Sequence, residues 1–412
     1  MPDREFPGFD AAALAAAVRQ PPLDDLWANG RARRRRRAAG VALALVVAVA
    51  GMAAVPLVGG RPGVDPAGPD QSPPRDRATQ LYVTGPGTAV GVEYVDHGCT
   101  VRFAFTVDSG RNWSDYDAAR YQKQICDPDT PLSPDVYLTA TVLGQRSILL
   151  RDEDSRLLST DGGRTWQSAE VAIRRVPAFP PGARPVYCQQ QGCDALTDPL
   201  AVDPATGRVY QLGAERALVG RITGSFPTAD GTIWLLVHQP DGIQQVIRVS
   251  DRGTTWLPAE LPPDVAPASV VGIDQREAYV LAEPHLPAGQ QVPPAGTRSR
   301  LMHTTNGGAT WTEVETDLSA SAEMRWFSIG ADGTLLVAET GFREESVTSR
   351  VFVSRDGGRH FAESRRQGGD GGAGAGPGAA WLYGRDDRSV IGPDHVQLTT
   401  DGRTWTRYPL PE

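Results

Sequence analysis

The sequence predicts an all-β fold, a seven-bladed β-propeller ectodomain behind a single N-terminal transmembrane helix. Three observations predict it. One small turn recurs six times at a near-regular interval, short strand-like runs fill the space between its copies, and one apolar segment of membrane length precedes them all.

Taken in order, residues 1–37 read as a cytoplasmic arm of two short helices, the first capped by Asp10 and the second starting at Pro21 or Pro22. Residues 38–60 hold 23 positions without a charge, about 34 Å as a helix and enough to cross a bilayer. Arg31 and Arg33 to Arg37 crowd its N-terminal flank, which places that side in the cytoplasm and the rest of the chain outside. A cleaved signal peptide is the competing expectation, but a 37-residue polar region before the apolar run is too long for one. Residues 61–79, with five prolines and two glycines, read as an extended linker to a domain over 80–412.

The net charge of −8 is uneven, with eight arginines against five acids in residues 1–40 and 33 basic against 44 acidic residues beyond them. An acidic main body speaks against nucleic acid as a partner, because phosphate contacts need a basic face. All four cysteines fall on the outer side, where disulfides form, and the local pairing is Cys99 with Cys126 and Cys188 with Cys193. A metal site is the alternative, yet there is no C-x-x-C pair and the six histidines are scattered.

From Gln80 onward the chain alternates short runs of Val, Ile, Leu and aromatics with Gly, Asp and Pro, and shows no helix pattern. The recurring turn is TVDSGRNW, STDGGRTW, VSDRGTTW, TTNGGATW, SRDGGRHF and TTDGRTW. The copies end on Trp113, Trp166, Trp256, Trp311, Phe361 and Trp405. Three residues earlier stand Gly110, Gly163, Gly253, Gly308, Gly358 and Gly402, and earlier still Asp108, Asp161, Asp251, Asn306, Asp356 and Asp401. A tight hairpin accounts for each choice: the carboxylate or amide accepts the turn's own N–H groups, the glycine takes positive φ, and the aromatic buries its ring as the next strand starts.

The intervals between these aromatics are 53, 90, 55, 50 and 44 residues. The second is nearly double, so a degenerate copy is expected inside it, and AVDPATGRVYQL offers Asp203 and Gly207 before Tyr210. Seven units averaging about 49 residues, each with four short strands, are the signature of a propeller. In the second unit the four strands are VYLTATVL, RSILLRD, RLLST and TWQSAEV.

The turn resembles the Asp-box or BNR repeat, Ser/Thr-x-Asp-x-Gly-x-Thr-Trp, as found in the sialidase-like and photosystem-assembly-like propellers, here in a membrane-anchored protein of actinobacterial type. The resemblance implies that each box lies on the hairpin between the third and fourth strands of a blade, away from the central site. It implies a scaffold role, with no catalytic, cofactor-binding or metal-binding residue among the boxes.

Families sharing the box include hydrolases, receptors and assembly factors, so the resemblance leaves the chemistry open. A sialidase-like exo-glycosidase needs three arginines on the substrate carboxylate, a tyrosine nucleophile paired with a glutamate, and an aspartate acid/base. The segment before the first box offers only Arg102, and Arg221-Ile222-Thr223 lacks the proline of the sialidase motif. The reading adopted is non-catalytic binding of a protein or cell-envelope glycan on the propeller's face or axial opening, without a cofactor. A glycoside hydrolase and an assembly-factor propeller are the alternatives, and convergence of Arg, Tyr, Glu and Asp at the axis would favour the enzyme. Asp152, Glu153 and Asp154 are expected in a solvated turn, Trp234, Trp326 and Trp381 between blades, and the glycine-rich stretch Arg365 to Ala380 in a flexible insertion.

Overall fold

The computed structural model describes residues 78–411 apart from 86, 96–98, 124–137, 153–154, 190–197, 214–219, 284–292, 295, 321–323, 344–345, 369–371 and 387–392. The stretches expected to form the arm, a membrane helix and most of the linker, residues 1–77, lie outside the described residues, as do Cys126 and Cys193. Among the described residues no helix is long and apolar enough to cross a membrane. The first strand begins at Ala78, two residues before the expected boundary.

Seven sheets form the ring. Blade 1 is an antiparallel meander of Ala78–Gly85, Thr88–Val95, Thr100–Thr106 and Arg120–Gln122. Blade 2 spans 139–168, blade 3 174–212, blade 4 188–258, blade 5 266–314, blade 6 324–368 and blade 7 373–409. The first long strands of blades 4 to 7, Arg221–Pro227, Ala266–Gly272, Met324–Ile329 and Ala373–Gly376, touch one another in succession. These strands are therefore the innermost of the four-stranded meanders, with one further short strand added inside blade 4. Alternation of side chains sends each strand's apolar residues into the seams on either side of its blade. Leu149 and Leu158 of blade 2 thus pack with Leu200 and Val209 of blade 3 and Leu235 of blade 4.

The ring closes without strand exchange, because blades 1 and 7 are each built from their own end of the ring. Leu81 and Ala89 pack on Trp381, Val396, Tyr408 and Leu410. Leu81 N donates to Tyr383 Oη at 3.0 Å, and Trp113 Nε1 donates to Pro409 O at 2.9 Å.

The seven blades stand, but the reason given for the third does not. The turn from Asp203 to Gly207 joins Leu200–Val202 to Val209–Leu212, the two middle strands, so Tyr210 sits on the middle hairpin and not on a third one. The outer place belongs to Arg174–Val176, an earlier segment that pairs parallel to Val209–Leu212. Asp203 still accepts from Ala205 N at 2.9 Å and Thr206 Oγ1 at 2.7 Å. An Asp-Gly turn marks a hairpin, and nothing in it says which hairpin.

Two further expectations change. In TWQSAEV only Gln167–Ser168 is strand, and the chain then takes one helical turn, Ala169–Ala172, on its way to blade 3. The glycine-rich stretch is ordered structure over most of its length, and Ala373–Gly376 is the fully buried innermost strand of blade 7. Gly374 faces Trp381 across the ladder, and a Cβ there would sit 2.7 Å from the indole. The small residues make room for Trp381, which composition alone reads as looseness.

Candidate functional site at the hub and the blade seams

Each of the six turns joins the third and fourth strands of its blade. In five of them a buried hydroxyl at the first position completes the network. Ser159 Oγ donates to Asp161 Oδ1 at 2.8 Å and accepts from Gly163 N at 2.7 Å, while Asp161 accepts from Thr165 N at 3.0 Å and Thr165 Oγ1 at 2.7 Å. Thr106, Thr304, Ser354 and Thr399 repeat the bond to the glycine N–H in the turns of Asp108, Asn306, Asp356 and Asp401. Hydrogen bonds from Asn112, side chain first, hold the Asp108 carboxyl below its usual range, and backbone N–H groups of Thr404 and Arg403 bring Asp401 down to about 2. The exception is the turn of Asp251, where Val249 stands in place of the hydroxyl. There Asp251 and Arg252 both adopt positive φ, at 52° and 58°.

The turns also join neighbouring blades, a role the sequence did not reveal. A Cβ on Gly163 would meet Phe103 of blade 1, on Gly253 Leu212 of blade 3, on Gly358 Leu301 of blade 5, and on Gly402 Val353 of blade 6. Gly308 lies against Ala259 and Trp234 on the blade 4 side, and Gly110 against Pro409 of blade 7. The aromatics lean the same way, half-buried. Trp166 Nε1 donates to Arg120 O at 3.0 Å with its ring 5.7 Å from Phe103 and Tyr121, Trp311 meets Trp234 edge-on at 6.1 Å, and Trp405 lies under Arg365. Phe361 N donates to Asp317 Oδ1 at 2.7 Å, whereas Trp256 turns back to its own Gly253 O. The turns and their aromatics thus contribute to the seams between neighbouring blades.

Part of the chain crosses at the hub. Residues 184–189 cross from blade 3 to blade 4, where Cys188–Gln189 adds a fifth strand inside Arg221–Pro227. Tyr187 in this crossing stacks edge-on against Phe226 at 5.1 Å, and its hydroxyl donates to Ala375 O of blade 7 at 2.9 Å. Blades 4 and 7 face each other across the ring, so this bond spans the axis.

Other hydroxyls reach backbone groups near the inner edges, where unpaired N–H and C=O groups need partners. Tyr94 Oη accepts from Ala140 N, Tyr82 Oη donates to Ala140 O, Ser225 Oγ donates to Val186 O, and Ser328 Oγ donates to Gly376 O. Burial pushes the phenols of Tyr82, Tyr94, Tyr187 and Tyr383 upward. They remain neutral hydrogen-bonding groups at ordinary pH.

Two buried glutamates are held by arginines on neighbouring strands. Arg102 Nε donates to the buried Glu93 at 2.9 Å, and in blade 6 Arg325 and Arg350 both hold the buried Glu339. Asp152 is no solvated turn residue: it accepts from Tyr121 Oη at 2.7 Å and lies 3.3 Å from Lys123 Nζ in the seam of blades 1 and 2. Burial, then Asp152, pushes Tyr121 up to about 12. Glu153 and Asp154 lie outside the described residues.

Of the histidines, His303 pairs with Glu277, His360 with Asp356 and His395 with Asp394, each in a different blade. Among the described residues no three His, Cys, Asp or Glu side chains gather as a metal site would need. Trp234 and Trp381 are buried, and Trp326 packs half-buried on the core of blades 6 and 7. Cys99 and Cys188 are both disulfide-bonded, and neither is a free thiol.

No protein-family model matches the chain, and no curated protein matches it. Solved structures do. The structure of YCF48 bound to D1 peptide is 12% identical, with a TM-score of 0.42 over 82% of this chain and 95% of that one. The Hadza microbial sialidase Hz136 is 15% identical, with a TM-score of 0.37 over 82% of this chain and 66% of that one. A prolyl endopeptidase is 12% identical, with a TM-score of 0.44, and the chain spans half of its length. The class of protein, a seven-bladed β-propeller, rests on the seven sheets themselves.

Proposed function

We propose that the chain is a membrane-anchored, extracytoplasmic propeller that binds a protein or a cell-envelope glycan without catalysis, with its six turns serving as Asp-box scaffold. The observation that carries this reading is the Tyr187 bridge between blades 4 and 7. A glycosidase of this architecture works on a sugar seated where the innermost strands converge, and here Tyr187, Phe226 and the crossing segment occupy that place. Aromatic and hydroxyl groups at the axis, with Arg102, Arg325 and Arg350 paired to buried glutamates, support recognition on an outer face.

The anchor over residues 38–60, with the N-terminus cytoplasmic, belongs to the same proposal, as do the pairings Cys99–Cys126 and Cys188–Cys193, which peptide mapping under non-reducing conditions reads directly. The binding reading is tested by screening the purified full chain against a glycan array and a cell-envelope protein extract, then footprinting the bound ligand by hydrogen exchange. Protection of a face with the hub strands unchanged is expected. Protection centred on Tyr187 and Ala375 would overturn the reading.

A further inference from the structure

Blade 2 sets two arginines against each other. Arg151 in Ile148–Asp152 and Arg156 in Ser155–Ser159 are register partners across an antiparallel ladder. Both point toward blade 3, because Leu149 and Leu158, the partners two positions along on the same face, belong to the core shared with Leu200 and Val209. Like charges directly opposed across a ladder repel. In blades 1 and 6 an arginine on the third strand faces a glutamate instead, Arg102 opposite Glu93 and Arg350 opposite Glu339.

Asp198 and Glu170 attract Arg156 from a distance, but among the described residues no hydrogen bond or ion pair joins either of them to it. Arg156 Nε is buried and has no hydrogen-bond partner. Burial lowers the Arg156 pKa in spite of both carboxylates. Asp198 accepts from Gln211 Nε2 at 2.6 Å, and Asp152, beside Arg151, is turned to Tyr121 and Lys123 on the other seam. Arg151 is exposed, so the pair is open to solvent from its side.

We infer that Arg151 and Arg156 form an oxyanion-binding site at the seam of blades 2 and 3, which takes the carboxylate or phosphate group of a ligand. Two planar guanidinium groups present forked donors to one anion. An oxyanion between them supplies the acceptor that Arg156 Nε lacks and cancels the opposed charges. The inference is independent of the reading of the propeller as a glycan- or protein-binding scaffold.

The test uses the full chain and two probes, inorganic phosphate and acetate, each compared with chloride at matched ionic strength. Denaturation midpoints and calorimetric binding are measured for the wild type, Arg151→Gln and Arg156→Gln. The wild type is expected to gain stability from at least one probe beyond chloride, and both variants to bind it at least tenfold more weakly. Gain from phosphate alone assigns a phosphate ester, and gain from acetate as well assigns a carboxylate. Without either probe, Arg151→Gln is expected to be more stable than the wild type, since the opposed charge is gone. Arg151 is exposed and outside the core, so this variant keeps the test decisive if Arg156→Gln fails to fold. An Arg151→Gln chain that binds phosphate and acetate as well as the wild type does, or a wild type that gains nothing beyond chloride, would overturn the site.

Discussion

Gly358→Ala measures how much a turn contributes as a seam. Gly358 holds φ at 90°, and a Cβ there would lie 2.1 Å from Leu301 Cδ2 and 3.3 Å from Leu335 Cδ1. Both leucines are fully buried and cannot swing into solvent. The left-handed backbone costs roughly 1–2 kcal/mol for a residue with a Cβ, and displacing packed core side chains costs roughly 1–3 kcal/mol more. The loss for Gly358→Ala is therefore about 2–5 kcal/mol. Gly333 is the internal control, with φ at 81° and nothing within 4 Å of its would-be Cβ. Gly333→Ala should lose only the backbone part, about 1–2 kcal/mol. Denaturant midpoints at unchanged m-value compare the two. Equal losses would refute the claim that turn glycines are fixed by the preceding blade as well as by φ.

Three further outcomes follow from particular side chains. The hydrogen bond and then the charge of Asp356 raise the His360 pKa above 6.5, while His360 holds Asp356 well below 3.8. His360 thus adds stability that is fully present below pH 6.5 and fades as pH rises through its folded value, whereas the Asp356 contribution fades only as pH falls below 3.8. His360→Thr should remove the decline on the alkaline side, and an unchanged pH–stability profile would contradict it. Tyr187→Phe leaves Ala375 O without its donor and should cost about 1–3 kcal/mol, with no loss expected if the cross-axis bond is irrelevant. Val249→Thr returns the missing hydroxyl to the one turn that lacks it and should gain about 0.5–1.5 kcal/mol by denaturant midpoint, where a loss would show that the turn of Asp251 cannot take the geometry of the other five.

The fold was legible because its punctuation is local. Asp, Gly and Trp at fixed offsets specify a hairpin through bonds to their own backbone, so the six turns could be placed from sequence and blades counted from their spacing. Their role at the seams was not legible, since Gly358 meets Leu301 and Gly402 meets Val353 only after a neighbouring blade has packed. Hydroxyls at Ser159 and Thr304 were visible as letters of the repeat, but their two hydrogen bonds, one donated to the Asp or Asn and one accepted from the Gly, emerge only in three dimensions. Blade 3 misled because its outer strand comes from an earlier segment in parallel, which no periodic count detects. Ala373–Gly376 misled because glycines that admit an indole look the same in composition as glycines that confer freedom. The hub was the least legible part, for Tyr187 meets Ala375 of blade 7 across 188 residues of chain.

The central claim, recognition without catalysis by a propeller bridged at its hub by Tyr187, is tested most directly by turnover. Purified full chain is incubated with a panel of sialosides and other glycosides, and released sugar is followed alongside binding of the same compounds. Binding or silence with no release above the uncatalysed background is the predicted result. Release that scales with protein concentration and disappears in Tyr187→Phe would contradict the account and make the hub an active site.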